Sequence, residues 1–403
     1  MKRLDEVCQI KPPKAEARKR ISTDALVSFV PMEDLGIDKK FFNVVQKKPL
    51  SVVSGSYTYF ADGDVLLAKI TPCFENGKLG IAGALTNGIG FGSSEYIVFR
   101  SDGRLRNEWL YYYLSRESFR VEGAKLMSGA VGHKRVPKEF IENYLIPVPP
   151  LPEQQRIVAL LDEAFAAIAI AKANAEKNLK NARALFDSYL NSVFSQRGDG
   201  WVENKLVSLT SKIGSGATPR GGGESYKTEG TSLIRSLNVH DPGFRYSKLA
   251  FLDDGQADGL SNVIVQPGDV LLNITGASVA RCCIVPDDVL PARVNQHVSI
   301  IRPISSKLDS DFLHYLLISK YYKDQLLQTG AEGGATRQAI TKAQIQDFSV
   351  GYPADKGEQQ SIVSKLDALR KETQHLESIY QKKIEALDVL KKSILHQAFN
   401  GEL

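Results

Sequence analysis

The sequence predicts an α+β protein. Two globular units, each a twisted β-sheet with short helices, are separated by two long antiparallel coiled-coil helices, and a pseudo-twofold internal repeat relates the halves. Three observations predict this. GDVLL begins at Gly63 and again at Gly268, and EQQ begins at Glu153 and again at Glu358, both 205 residues apart. An apolar seam with steps of three, four or seven runs through the segment after each EQQ, which is the period of a coiled coil. Short β-type runs broken by Gly and Pro precede each EQQ segment.

The repeat comes first, because a fixed offset organises the whole chain. From 153 to 194, 12 of 42 positions match their partners 205 residues later, seven of them in the first ten. Asp162 matches Asp367, Leu185 matches Leu390 and Phe194 matches Phe399. The first seam is Ile157, Leu161, Ala164, Ile168, Ala171, Ala175, Ala182, Leu185 and Tyr189. The second is Ile362, Leu366, Leu369, Leu376, Tyr380, Leu387, Leu390 and Ile394, interrupted by Thr373 and Lys383. Prolines 147, 149, 150 and 152 precede the first helix, Pro353 and Gly357 the second, and Gly198 and Gly401 end them. A helix over 153–196 is a rod of about 66 Å. Its alanine-rich seam suits close approach by the larger Leu/Ile seam of the other copy. Antiparallel pairing would place the globular parts at opposite ends of the rod. The segments expected are therefore 1–152, 153–198, 199–357 and 358–403.

The globular parts carry β-type runs such as GSYTYF, DVLLAKI and SEYIVFR, then NVIV, DVLLNI and NQHVSIIRP. Each closes with a short helical pattern, a Gly-rich loop and a further helix-like step. Outside the shared anchors the two parts differ, and a common scaffold with different surfaces suits a reader of two targets.

Composition sets limits. The chain has 403 residues, 43% hydrophobic and 24% charged, with mean hydropathy −0.19. These are globular values and exclude wholesale disorder. No stretch of 18 apolar residues occurs and the first residues lack a secretory signal, so no membrane contact and a cytoplasmic location are expected. Cys8, Cys73, Cys282 and Cys283 have no CxxC spacing and are expected to be reduced thiols. A net charge of +5 permits a nucleic-acid partner without demanding one.

No catalytic motif emerges. Asp241-Pro242-Gly243-Phe244 approaches the tetrapeptide of an adenine methyltransferase but has Gly for the second Pro, and a surface turn explains it. The phosphate-binding pattern GxxxxGK[ST] is absent, and Gly221-Gly222-Gly223 has no Lys-Ser/Thr after it. Glu203-Asn204-Lys205 lacks the acidic strand of a nuclease, and His133, His297 and His314 have no metal-ligand spacing. No catalytic residue and no metal ligand is assigned.

Binding remains. Residues 11–20 hold Lys11, Lys14, Arg18, Lys19 and Arg20 against Glu16, either a solvated loop or an arm that contacts phosphates. After the GDVLL strands, Lys69, Thr71, Asn76 and Lys78 in the first copy answer to Asn273, Thr275 and Arg281 in the second. A second pair of loops holds Lys134 and Arg135, and Arg337 and Gln338. Arg and Lys suit guanine, Asn and Gln suit adenine, and Ser and Thr are adaptable. Recurrence at equivalent places makes these the candidate DNA-binding residues.

The layout resembles the specificity subunit of type I restriction–modification systems over essentially the entire chain. GDVLLAKITPCFENGK, PLPEQQRIVALLD, GEQQSIVSKLD and LKKSILHQAFNGEL carry the resemblance. The second helix start departs from the pattern, with Ala354-Asp355-Lys356-Gly357 where the first copy has Pro150-Leu151-Pro152. The resemblance implies two target recognition domains, each reading half of a split asymmetric sequence in double-stranded DNA, with helices that set the spacer. It implies a bacterial or archaeal protein without catalysis or cofactor of its own. Its partners would be two methyltransferase subunits, binding S-adenosylmethionine, and two restriction subunits, using ATP and Mg. The alternatives at this stage are a related system with a different nuclease, a coiled-coil scaffold, a degraded methylase, and an RNA-binding protein with a helical arm.

Overall fold

The structure, a computed structural model, describes residues 1–331 and 339–403. Two compact units make up the chain: Met1–Ala175 with Lys382–Leu403, and Glu176–Gln381. The division falls inside the two long helices, Leu151–Gln196 and Lys356–Asn400, and not at their ends. The reason lies in the cores. Ile157, Val158, Leu161, Leu395 and Ala398 belong to the core of the first unit, and Leu190, Phe194 and Leu366 to that of the second.

Both helices begin slightly earlier than the punctuation suggests. Pro152 and Gly357 each occupy the first turn. The first N–H groups of a helix have no intrahelical acceptor, so a proline there loses nothing.

Each unit holds a two-stranded pair and two larger sheets, one of which has the same strand order in both units. In the first, Cys8–Ile10, Tyr96–Ser101, Val65–Ala68 and Leu79–Ile81 form an antiparallel sheet. In the second, Thr210–Ser215, Val298–Pro303, Val270–Asn273 and Cys282–Ile284 form its counterpart. The other larger sheet of each unit is mixed. It has a parallel pair, Leu26–Val30 with Ile89–Gly92 or Thr231–Ile234 with Ala292–Val294.

The GDVLL strand is buried on both faces, because side chains alternate along a strand. Val65 and Leu67 enter the core that meets the long helices, while Leu66 and Ala68 enter the core between the sheets. Val270 and Leu272 separate from Leu271 in the same way. The adjacent cysteines obey the same alternation: Cys282 faces one core and Cys283 the other. All four cysteines are free thiols, and burial pushes Cys8 and Cys283 up to about 12.

The shared aspartate and glycine of GDVLL build a turn. Gly63 and Gly268 take φ of +87° and +78°, where a side chain is strained. Asp64 Oδ2 accepts from the Ala61 amide at 2.7 Å while Arg100 forks onto both carboxylate oxygens at 2.8 and 2.7 Å. Asp269 repeats this with the Gln266 amide at 2.8 Å and Arg302 at 2.7 and 2.8 Å. A buried carboxylate is tolerated only when paired and hydrogen-bonded, and both are.

The middle residue of EQQ is equally structural. Gln154 is fully buried; its Oε1 accepts from the Arg106 amide, and its Nε2 donates to the carbonyls of Arg104 and Pro149, all at 2.8 Å. Gln359, also fully buried, accepts from the Asp309 amide at 2.9 Å and donates to the carbonyls of Lys307 and Pro353 at 3.0 and 2.9 Å. About two turns later, Tyr112 donates to Asp162, and Tyr315 donates to Asp367 at 2.5 Å.

The long helices pair antiparallel within each unit. In the first, Arg156 donates to the Leu403 carbonyl at 2.9 Å and Lys172 to Asp388 at 2.7 Å. In the second, Arg183 donates to Glu377 at 2.8 Å, and one turn on Arg370 stands over the Phe186 ring.

The seam departs from the sequence reading at matching places. Leu185 and Tyr189 are 51% and 39% exposed, and Leu390 is 46% exposed. Leu190 and Phe194, and Leu395 and Ala398, are buried instead. An α-helix has 3.6 residues per turn, so a strict heptad drifts off the contact line. Thr373 does not interrupt the seam. It is buried, and its hydroxyl donates back to the carbonyls of Leu369 and Arg370 at 3.0 Å.

Two outcomes follow. Gln154→Ala and Gln359→Ala each leave buried backbone groups unpaired and should cost about 1–3 kcal/mol in denaturant unfolding. Changing the exposed neighbours Gln155 or Gln360 to Ala should stay within about 0.5 kcal/mol. His314 is buried in the second unit, and burial, then Arg370, push its pKa down from 6.5 to about 4, with Asp241 opposing. Between those values the unfolded chain binds a proton that the folded unit does not. Stability should therefore fall as pH drops from 6.5 to about 4. Melting temperatures of His314→Phe measured against pH should lack that part of the slope.

Candidate nucleic-acid interface

In the first unit the chain leaves strand Val65–Ala68 at Lys69. The Lys69 amide donates to the Glu95 carbonyl at 3.0 Å, and the Val136 amide donates to the Lys69 carbonyl at 2.9 Å. The Thr71 amide donates to the Lys134 carbonyl at 2.9 Å. Two loops distant in sequence are thus sewn side by side, carrying Lys69, Thr71, Lys134 and Arg135 together.

The side chains form a charged group. Arg135 forks onto Glu95 at 2.9 and 2.8 Å, and Lys69 Nζ lies 3.9 Å from the same carboxylate while donating to the Ser94 carbonyl at 3.2 Å. The Arg135 guanidinium holds the Glu95 carboxyl below the usual carboxylate range. Burial lowers the Lys69 ammonium, with Lys11 and Arg135 adding to the effect and Glu95 opposing it. The basic N-terminal segment begins against the sheet of this unit, where the Lys11 amide donates to the Val98 carbonyl at 2.8 Å.

That segment is a helix, Ala15–Arg20, and not a free arm. Ala17 is buried beneath it, and Glu16 accepts from Arg100 at 2.5 Å. Lys14 and Arg18 donate to the carbonyls of Gly55 and Ser54, while Lys19 and Arg20 are exposed.

The remaining candidates of the first unit divide. Asn76 and Lys134 are exposed. Thr71 Oγ1 donates to Glu75 at 3.2 Å. Lys78 turns inward and donates to the Met32 carbonyl at 2.7 Å, so its charge holds a loop of its own unit.

The second unit repeats the frame with other side chains. The Ile274 amide donates to the His297 carbonyl at 3.0 Å, and the Ile340 amide donates to the Ile274 carbonyl at 2.8 Å. Thr275 is half-buried and its hydroxyl bonds His297 Nδ1 at 2.6 Å. Gln296 Nε2 lies 3.2 Å from the other ring nitrogen, and Thr218 donates to Gln296 Oε1. Arg281 is half-buried.

Asn273 is not a surface reader. It is fully buried and donates to the carbonyls of Ser236 and Val239 at 2.9 and 3.4 Å, holding the 236–240 turn. An amide at the end of a doubly buried strand finds backbone, not solvent. Arg337 and Gln338 lie outside the described residues.

The doubtful motifs have structural partners. Asp241 accepts from the Cys282 amide at 3.0 Å and pairs with Lys323, and Arg370 donates to the Pro242 carbonyl at 2.7 Å. Glu203 pairs with Arg197 and Lys205 with Asp347. Sequence reasoning missed Glu95, Gln296 and Thr218. The signal available for the first two was that Ser93-Ser94-Glu95 and Asn295-Gln296-His297 each immediately precede the strand paired with GDVLL.

A family model described as the type I restriction modification DNA specificity domain matches residues 1–181 and 225–386. The chain belongs to this family. The specificity subunit of the Escherichia coli type I restriction enzyme EcoAI is 41% identical over 133 residues, 33% of this chain. That match spans 23% of the relative's length, and the E. coli EcoEI specificity subunit gives the same identity over 22% of its own. The MjaVIII specificity subunit of Methanocaldococcus jannaschii is 23% identical over 77% of this chain and 74% of its own. A chain solved in work on complex assembly and conformational transition of the type I R-M system covers 100% of this chain and 97% of its own. Its TM-score is 0.76 at 22% identity. The HsdS subunit from Thermoanaerobacter tengcongensis gives 0.68 at 21% identity, covering 100% and 96%. At these identities the likeness concerns the fold.

Proposed function

We propose that this specificity-family chain is the non-catalytic DNA-recognition subunit of a type I restriction–modification assembly, each unit reading one half of a split, asymmetric site. One observation supports this most directly. The same backbone frame occurs twice and ends in chemically different side chains, an acid between two cations at Lys69, Glu95 and Arg135, and a hydroxyl, an amide and an imidazole at Thr275, Gln296 and His297. Two unlike readers on one chain suit a non-palindromic site, as a symmetric dimer suits a palindrome.

In this reading Lys69, Thr71, Asn76, Lys134 and Arg135 address one half-site, and Thr275 and Arg281, with Arg337 and Gln338, the other. Lys11, Lys14, Arg18, Lys19 and Arg20 supply phosphate contacts, the sequence-independent part of affinity. Two methyltransferase subunits and two restriction subunits bring S-adenosylmethionine, ATP and Mg. Base flipping and methylation of adenine then occur on the partners. Among the described residues no helix is long and apolar enough to cross a membrane.

The paired helices act as the ruler between half-sites. Inserting one helical turn within 165–180, matched within 375–390, should lengthen the preferred spacer and leave both half-sites unchanged. Altered half-sites would remove the ruler role.

Methylome sequencing of cells carrying the system should show a split motif with methylated adenine in both halves. Arg135→Ala should relax one half only, by about 1–3 kcal/mol at one base pair. A uniform loss on all duplexes would make Arg135 a phosphate contact. Absence of any sequence preference in the assembled complex would favour a coiled-coil scaffold.

A further inference from the structure

Glu95 and His297 occupy one slot in two copies of the same frame. Each carbonyl accepts from the amide that follows the GDVLL strand, Lys69 or Ile274, at 3.0 Å. Each amide is held by the side chain two residues earlier, Ser93 Oγ at 3.2 Å or Asn295 Oδ1 at 3.0 Å. The next residue closes the same turn: Tyr96 N donates to the Ser93 carbonyl at 3.1 Å, and Val298 N to the Asn295 carbonyl at 3.3 Å. The backbone is therefore a constant, and the side chain projecting from it is the variable.

What projects differs in kind. Glu95 is a carboxylate that grips Arg135 in a two-point fork and faces Lys69. Its side chain is 22% exposed against 47% for Arg135, so the acid lies deeper and the guanidinium outermost. His297 is an imidazole linked to Thr275 on one nitrogen and Gln296 on the other, and Gln296 is exposed. A guanidinium clamped from behind presents its remaining N–H donors in one orientation, which favours a base edge rich in acceptors. An imidazole–amide–hydroxyl chain offers both donors and acceptors, and suits a different edge.

We propose that this slot is a specificity-determining position in both units, with Glu95 positioning Arg135 and His297 positioning Gln296 and Thr275 against DNA bases. The inference rests on the reading of the chain as a DNA-recognition subunit. It explains how one frame serves two targets: exchanging the residue behind the contact re-aims the contact without rebuilding the sheet.

The test uses the full chain assembled with its methyltransferase subunits and a library of randomised duplexes, with bound sequences counted. Wild type, Glu95→Gln and His297→Phe are compared, and melting temperatures are recorded for each. Glu95→Gln keeps the size and one acceptor but removes the charge. It should lower selectivity by about ten-fold at one or two positions of one half-site, the equivalent of one weakened base contact. His297→Phe should do the same in the other half-site only. Glu95→Asp, which keeps the charge, should retain the wild-type preference at lower selectivity than Glu95 itself. A bipartite preference in wild type that both variants leave unchanged, or that falls uniformly with melting temperature, would overturn the inference and leave the recognition function standing. No preference in wild type would overturn both.

Discussion

Each long helix is locked to its globular part by one buried glutamine. Gln154 and Gln359 have no apolar role; each satisfies three backbone groups from two separate segments. A carboxamide carries an acceptor oxygen and a two-donor nitrogen on one side chain, so each glutamine can accept from one backbone amide and donate to two carbonyls. Buried backbone groups must be paired, so the helix can start only where the loop before the short helix Asn107–Leu114, or Ser310–Ile318, meets it. The tyrosine–aspartate pairs further along the helix then fix its rotation.

From that lock the rest of each unit follows. The short helix lies over the sheet that contains GDVLL, and the strand is apolar on both faces because cores lie on both sides of it. The aspartate beside the strand is tied to an arginine on its neighbour and to the turn behind. Removing one partner from such a pair leaves a buried charge, a costly state. These positions are therefore held by the scaffold, and the two copies differ instead in the loops that follow the GDVLL strand.

Much of this was legible in the sequence. The repeat, the helices and the alternation in GDVLL show directly, because period and offset are written in residue order. The side-chain roles were less legible. Asn273 and Lys78 have the chemistry of DNA readers, yet one is enclosed at a strand end and the other spans to the Met32 carbonyl. Glu95 has the wrong charge for a DNA contact, and residue order does not show that Arg135 and Lys69 converge on it. The heptad reading failed where a straight helix drifts from a 3.5-residue repeat, so Leu185 and Leu390 face solvent.

The order of residues by itself determined that the chain is duplicated, that each copy joins an α+β part to a long helix, and which short motifs recur. Those features depend on local period and on identity between copies, which need no third dimension. Only the tertiary structure decided that Gln154 and Gln359 are locks, that the units divide within the helices, and that Lys69, Glu95 and Arg135 form one group. Such facts depend on hydrogen bonds between segments tens of residues apart. Burial and partners, not residue type, then set whether a polar side chain is fastened inward or offered to a ligand.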